Sequence, residues 1–283
     1  MFNFSTKKIQ KHKIEINEFK MHLRDSLNEV HLIVSPHFDD VVLSLGGFLT
    51  SSLNKQIHII TIFGGRPKIP VSSKWDGKCG FKNSDEAILE RRKEEKKALS
   101  FLNIFNFSYL NYFERQHRDK IKEKYYSDEE LVSKIKLDLT SFLSKNKKEK
   151  YSIYVPAVSK HLDHKIITEV GLSLVKGNED YSLFFYQDMP YTANLISENN
   201  DNFLLPQKQL EETFNVRVNM LYVKVSKKEN KKKQKAIKLY RSQYFKLKPH
   251  LRRANKVIRK QLKFFGIQEK ASEIIYSLDK IHK

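Results

Sequence analysis

The chain has 283 residues, 40% hydrophobic and 12% aromatic, enough to bury the core of one large α/β domain and too apolar for a disordered segment. Its formal charge of +20 invites a polyanion, an anionic membrane or an anionic substrate, and is met equally by lysines spread over a solvated surface. A lone cysteine, Cys79, excludes an intramolecular disulfide and a cysteine-built zinc site, and suits a reducing, cytoplasmic setting.

The first residues, MFNFSTKKIQKHKIEINEF, lack the continuous apolar run of a secretory signal. No apolar stretch approaches the ~18–20 residues of a membrane span. Residues 1–28 read as a polar leader, with Ile9, Ile14, Ile16, Phe19 and Leu23 packing on the main domain. Val30 to Val34 is a short apolar run closed by Ser35-Pro36, the mark of a buried strand. Val41 to Ser52 is expected to be helical, with Gly46-Gly47 allowing close approach to a neighbour. Ile57 to Phe63 is a second strand, closed by Gly64-Gly65. Residues 66–83 form a long loop, and long loops in compact domains are often functional.

Ser84 to Leu102 is a helix whose N-terminus suits Ser84, Asp85 and Glu86. Phe107 to Tyr112 is a strand, and Asp128 to Lys145 a helix with Leu131, Ile135, Leu139 and Leu143 on one face. Tyr151 to Val155 is a strand ended by Pro156, Asp163 to Val175 a helix, and Leu183 to Tyr186 a strand. This alternation predicts a parallel sheet with helices on its faces. Ligands of such sheets sit at the C-terminal strand ends, here the loops 35–40, 64–83 and 156–164. Beyond residue 204, Phe214 to Val225 alternates as a strand, and residues 227–263 form a basic helical region.

Two of those loops carry chemistry. The first reads Ser35-Pro36-His37-Phe38-Asp39-Asp40 and the last His161-Leu162-Asp163-His164. Each follows a buried strand and precedes a helix, so two motifs of histidine and aspartate converge on one sheet end. Imidazole nitrogen and carboxylate oxygen are ordinary zinc ligands, and a second carboxylate beside the metal can take a proton from water. Taken singly, each residue has a plainer reading: a hydrogen-bonded structural histidine, or an aspartate capping the next helix.

At these residues the chain resembles a known family. Pro36-His37-Phe38-Asp39-Asp40 followed by Gly46-Gly47, then His161-x-Asp163-His164, resemble the two signatures of the PIG-L (LmbE-like) deacetylases. That family includes the N-acetylglucosaminyl-phosphatidylinositol, mycothiol-pathway and bacillithiol-pathway deacetylases. Thr61-x-Phe63-x-Gly65-x-Pro67, Cys79-Gly80-Phe81 and Asp85-Glu86-Ala87 are similar to one bacterial branch. So are Arg91-Arg92-x-Glu94-x-x-x-Ala98, Tyr186-x-Asp188-x-Pro190-Tyr191 and Lys233-x-x-Ala236-x-x-x-Tyr240-x-Ser242-Gln243. The resemblance covers roughly residues 30–245.

It implies a Rossmann-like three-layer α/β fold, one catalytic zinc and removal of an N-acetyl group from an amino sugar such as N-acetylglucosamine. It implies His37, Asp40 and His164 as zinc ligands, Asp39 as general base, and His161 as oxyanion stabiliser or proton donor. Asp163 then orients a histidine, with a helix N-terminal carboxylate as its plainer reading. Arg91 and Arg118 are the implied substrate-binding arginines, although Arg91 equally suits a surface salt bridge to Glu94 or Glu95. The family's acidic residue after the second aspartate is Val41 here, and its Leu-Gly after the long helix is Leu102-Asn103, where asparagine tolerates a left-handed helix end.

These readings divide the chain into a deacetylase domain, 1–245, and a basic helical extension, 246–283, packed on it. The expected partner is a small N-acetylated sugar or glycoconjugate; oligomeric state is not legible. Trp75 either stacks on a sugar ring or anchors its loop. The basic stretch 224–263, interleaved with Tyr240, Tyr244 and Phe245, either docks on the domain or grips phosphates. The alternative to an enzyme is therefore a nucleic-acid-binding or anionic-membrane-binding protein on the same fold.

Overall fold

The computed structural model describes residues 17–18, 29–50, 57–121, 125–145, 150–157, 160–268 and 271–281. The leader expected over 1–28 lies outside the described residues apart from the two-residue strand β1 (Asn17–Glu18).

Apolar runs bounded by turns give the central strands β2 (Glu29–Ser35), β3 (Ile57–Thr61), β4 (Phe107–Tyr109), β5 (Lys150–Pro156) and β6 (Tyr181–Tyr186). They pair in parallel, and β2 lies between β3 and β5 with Ile33 opposite both Ile59 and Tyr154. A parallel strand in that position is covered on both faces, which is why its centre, Leu32-Ile33-Val34, is apolar without alternation. Leu32 and Val34 join the core on one side and Ile33 the core on the other, all fully buried.

Helices fill the two outer layers. On one face lie α5 (Asp128–Ser144), α6 (Leu162–Val175) and α8 (Leu205–Phe214), contributing Leu139, Ile167 and Leu210. On the other lie α1 (Asp40–Leu45), α3 (Ser84–Leu102) and α9 (Lys227–Ile237), contributing Leu45, Leu99 and Ile237. Local chemistry sets several ends. Asn83 accepts the backbone N–H groups of Asp85 and Glu86 at the start of α3, and Asn103 ends it at φ 67°. Ser127 with Glu130, and Ser226 with Glu229, form capping boxes on α5 and α9.

The expected three-layer α/β fold with a helical C-terminal region is the one observed, with four differences. The helix expected over 41–52 stops at Leu45 and is followed by a 3-10 turn, Phe48–Thr50; the break falls at Gly46-Gly47, a pair of low helix propensity. A Cβ on Gly47 would lie 2.5 Å from the Val225 side chain. The long loop 66–83 contains a short helix, α2 (Lys74–Lys78). Two further short helices, α4 (Arg115–Arg118) and α7 (Tyr191–Glu198), flank the strand ends.

The fourth difference is the C-terminal part. The boundary drawn at 245/246 falls inside one helix, α10 (Arg241–Phe264). Beyond it the chain returns as β8 (Glu273–Ile281), inserted between β6 and β7 (Val216–Val223) and antiparallel to both. The sheet order is β1-β7-β8-β6-β5-β2-β3-β4. Ile275 and Tyr276 are fully buried in it, so the segment belongs to the core rather than to a helical appendage. Among the described residues, no helix is long and apolar enough to cross a membrane.

Candidate active site

Strands β2 and β5 end side by side, so the loops that follow them meet. His37 leaves β2, Asp40 opens α1, and His164 sits in the first turn of α6. Three of their atoms form a near-equilateral triangle. His37 Nδ1 lies 3.1 Å from Asp40 Oδ2 and 3.2 Å from His164 Nε2, and His164 Nε2 lies 3.4 Å from Asp40 Oδ2. Tetrahedral ligands at ~2.0–2.1 Å from zinc stand about 3.3 Å apart, so the donor set fits such an ion without rearrangement. The backbone N–H of His37 donates to Asp40 Oδ2 at 2.9 Å and fixes that carboxylate.

The outer nitrogens of both rings are held by carboxylates. His37 Nε2 meets Asp163 Oδ2 at 3.0 Å, and His164 Nδ1 is hydrogen-bonded to Asp188. Each ring that donates outward presents its other nitrogen as a lone pair to the centre, the arrangement metal-binding imidazoles use. Asp188 can group with Asp40 and His164 by distance. It faces the opposite nitrogen of His164 from Asp40, so it stands behind the ring rather than at the centre.

Asp39 and His161 complete the floor. Both line a cavity of about 450 Å³ together with His37 and Asp40. The His161 ring lies 5.0 Å from that of His37 and 4.9 Å from that of His164, with Tyr191 close by at 6.0 Å. The three histidines are themselves close enough to hold an ion. The triangle with Asp40 is favoured here because its carboxylate supplies the negative charge a dication needs.

Charge and burial tune these groups. Burial, then the adjacent Asp40 charge, push the Asp39 carboxyl up to about 7. Burial works against ionising Asp40, yet His164 and the hydrogen-bonded His37 hold it below the usual carboxylate range. Burial opposes protonation of His37 and His164 as well. The carboxylates Asp163 and Asp40 overcome it at His37, and Asp188 and Asp40 at His164, so both sit above the ordinary imidazole value. His161 is pushed down to about 3 by burial and by its two histidine neighbours. A dication at the centre would draw the neighbouring acids down again.

The two arginines expected to bind substrate are placed differently. Arg118 is not among the residues that line the cavity; its guanidinium faces Asp163 Oδ1 at 2.8 Å and donates to the Phe113 carbonyl at 2.7 Å. Arg91 does line the cavity but is 2% exposed and already paired. It meets Asp76 Oδ1 at 2.7 Å and Glu114 Oε1 at 3.2 Å, while His117 Nε2 meets the other Asp76 oxygen at 2.7 Å. Neither Glu94 nor Glu95 is its partner: Glu94 accepts from Ser242, and Glu95 from Thr61. Arg91 thus ties α2 and α4 to α3. Asp163 is hydrogen-bonded to His37 Nε2, the contact that the first of the two roles weighed for it requires. Sequence reasoning gave no role to Asp188, Asp76, Glu114 or His117. For Asp188, its position two residues past a buried strand end was the available signal.

A Rossmann-like sheet carrying two histidines and an aspartate in tetrahedral spacing at its strand ends defines a class, α/β proteins whose strand ends present side chains that could hold a metal ion. Within it the chain belongs to the PIG-L family, described as GlcNAc-PI de-N-acetylase, which matches residues 32–175. The chain is 28% identical over 185 residues to the 2'-N-acetylparomamine deacetylase of Niallia circulans, covering 56% of this chain and 66% of that protein. The match thus spans just under two thirds of that relative. Among solved structures, the A40926 pseudoaglycone deacetylase Dbv21 shares the fold at a TM-score of 0.71 and 20% identity, covering 90% of this chain and 99% of that one. The zinc-inhibited form of the teicoplanin deacetylase Orf2 does so at 0.69 and 20%, covering 88% and 97%.

Proposed function

We propose that the chain is a zinc-dependent hydrolase that removes the N-acetyl group from an amino sugar or glycoconjugate, N-acetylglucosamine conjugates first among them. The observation that carries this reading is the triangle of His37 Nδ1, Asp40 Oδ2 and His164 Nε2, with Asp39 and His161 beside it on one cavity floor. Those three residues are the ligands in this reading. Bound zinc supplies an acidified water and polarises the amide carbonyl.

The remaining work falls to side chains. Asp39 faces the cavity and takes the proton of the attacking water as general base. His161 stays neutral near pH 7 and directs a ring N–H at the oxygen where negative charge develops. Asp163 and Asp188 fix the two histidine rings, and Arg118 balances the Asp163 charge. The proton held by Asp39 is then available to the departing nitrogen, and acetate leaves with a free amine. The curated relative, named for a deacetylation on an amino sugar, supports the sugar class. The free Cys79 supports a reducing, cytoplasmic setting.

The test is acetate release from a panel of N-acetylated sugars, run beside a metal count per chain. The expected result is one zinc per chain and release that His164→Ala abolishes together with metal binding. A protein that takes up no metal and releases no acetate overturns the reading.

A further inference from the structure

The cavity has two halves of different origin. Its metal half comes from the stretch that matches the family, residues 32–175. Its outer wall comes from α10, beyond that stretch, through Gln243, Leu247 and His250. These positions follow one another at helical spacing, so they form one face. Trp75, which also lines the cavity, donates its Nε1–H to Gln243 Oε1 at 3.4 Å.

The charge of that wall is one-sided. Helix α10 contains nine lysines and arginines and no acid. Only Lys260 has an acidic partner, Asp201, and the other eight make no ion pair among the described residues. Lys246 and Arg253 are exposed and sit one turn either side of His250, which lines the cavity. Of the acids lining the cavity, Asp39 makes no ion pair among the described residues and lies next to Asp40 in sequence, and the other three are paired. Glu114 pairs with Arg91, Asp163 with Arg118, and Asp40 with His37 and His164. Arg115, the other lining cation, is held by Asp119 and Asp128. The unpaired charge that α10 carries beside this lining is therefore positive, and low-dielectric walls focus such a field on an arriving ligand.

We propose that the substrate carries a phosphate next to its acetamido sugar, and that Lys246 and Arg253 of α10 select for it. This rests on the deacetylase reading of the same cavity. The recognised chemistry is a sugar phosphate, whether it belongs to a soluble nucleotide diphosphate or to a lipid diphosphate.

Trp75 is the only tryptophan and lines the cavity, so its fluorescence reports occupancy without any turnover. The zinc-loaded protein is titrated with N-acetylglucosamine 1-phosphate, with the neutral methyl glycoside, and with an aminoethyl glycoside carrying positive charge. The phosphate is expected to half-saturate at a concentration about tenfold lower than the neutral sugar, an advantage that shrinks as salt is raised. Lys246→Gln with Arg253→Gln is expected to remove the advantage. Lys145→Gln with Lys208→Gln, the same charge lost elsewhere, is expected to keep it.

Equal half-saturation by all three sugars, or a preference for the aminoethyl glycoside, overturns the proposal. So does an advantage that survives the α10 double variant, since the phosphate would then sit on the metal. Failure of all three to release acetate would count against the deacetylase reading alone, because binding is read separately. Release from a nucleotide diphosphate sugar in solution, or from a lipid diphosphate sugar in phosphatidylcholine vesicles, supports the class and tells the two sources apart.

Discussion

Asp163 serves three partners at once: His37 Nε2 at 3.0 Å, the backbone N–H of Arg115 at 2.9 Å and the Arg118 guanidinium at 2.8 Å. It transmits position to a ligand, so Asp163→Asn should weaken zinc about 10–100-fold in competition with a chelator. Asp39→Asn should do the reverse, keeping the metal count while turnover falls about 10²–10⁴-fold. Near-normal turnover in the zinc-loaded Asn variant would sink the base assignment. Glu95 offers a test of electrostatics away from the ligands. Burial pushes its carboxyl well above the ordinary value, and the Thr61 hydroxyl donates to it at 2.7 Å. A raised folded pKa gives stability that is whole below the ordinary glutamate range and is lost as pH climbs through the folded value. Urea midpoints of wild type should therefore fall with rising pH relative to Glu95→Gln; parallel curves would refute a buried neutral carboxyl. His37, Asp39, Asp40, His161 and His164 were legible because strand-loop-helix junctions announce themselves locally. The pairing of Arg91 with Asp76 and Glu114 was not, since nothing along the chain tells which acid a folded loop brings to an arginine.

Elements meet through glycines that leave no room for a side chain. A Cβ on Gly65 would lie 2.6 Å from the Asn111 carbonyl carbon and 2.8 Å from the Tyr112 oxygen, both backbone atoms that cannot swing away. Gly65→Ala should cost about 1–3 kcal/mol in urea unfolding and displace the segment leading to Glu114. The Gly46-Gly47 pair was read from sequence as allowing a close approach. The structure supplies the partners: a Cβ on Gly46 would lie 2.7 Å from the Lys233 side chain, and one on Gly47 would lie 2.5 Å from that of Val225. Glu273 at the start of β8 seals this joint, accepting from the backbone N–H groups of Gly47 and Phe48 at 2.7 and 2.8 Å and pairing with Lys233 at 2.6 Å. Strand β8 escaped the sequence reading although Ile274-Ile275-Tyr276 is apolar. A short apolar run names no partner strand, and the preceding basic helix made an appendage the simpler continuation.

At the scale of the molecule, the sheet is closed by residues far apart in the chain. Because β8 lies between β6 and β7 rather than on an edge, removing it leaves two unpaired strand edges and exposes both cores. A chain ending at residue 270 should therefore lose the cooperative urea transition and resist proteolysis poorly. Retention of the full-length midpoint would show that β8 adds nothing to the fold. That β2, β3, β5 and β6 run parallel was legible because strands alternate with helices along the chain. The antiparallel insertion was not, since it depends on a contact between Phe185 and Tyr276 across ninety positions of sequence.

That insertion also orders events during synthesis. The strands that carry the histidines and aspartates leave the ribosome well before β8, while the gap between β6 and β7 stays open until Glu273 to Ile281 has emerged. The nascent chain holds the loops of its candidate site before it holds a finished core. It must pass that interval with a bare strand on each side of the gap, open to other nascent chains and to chaperones.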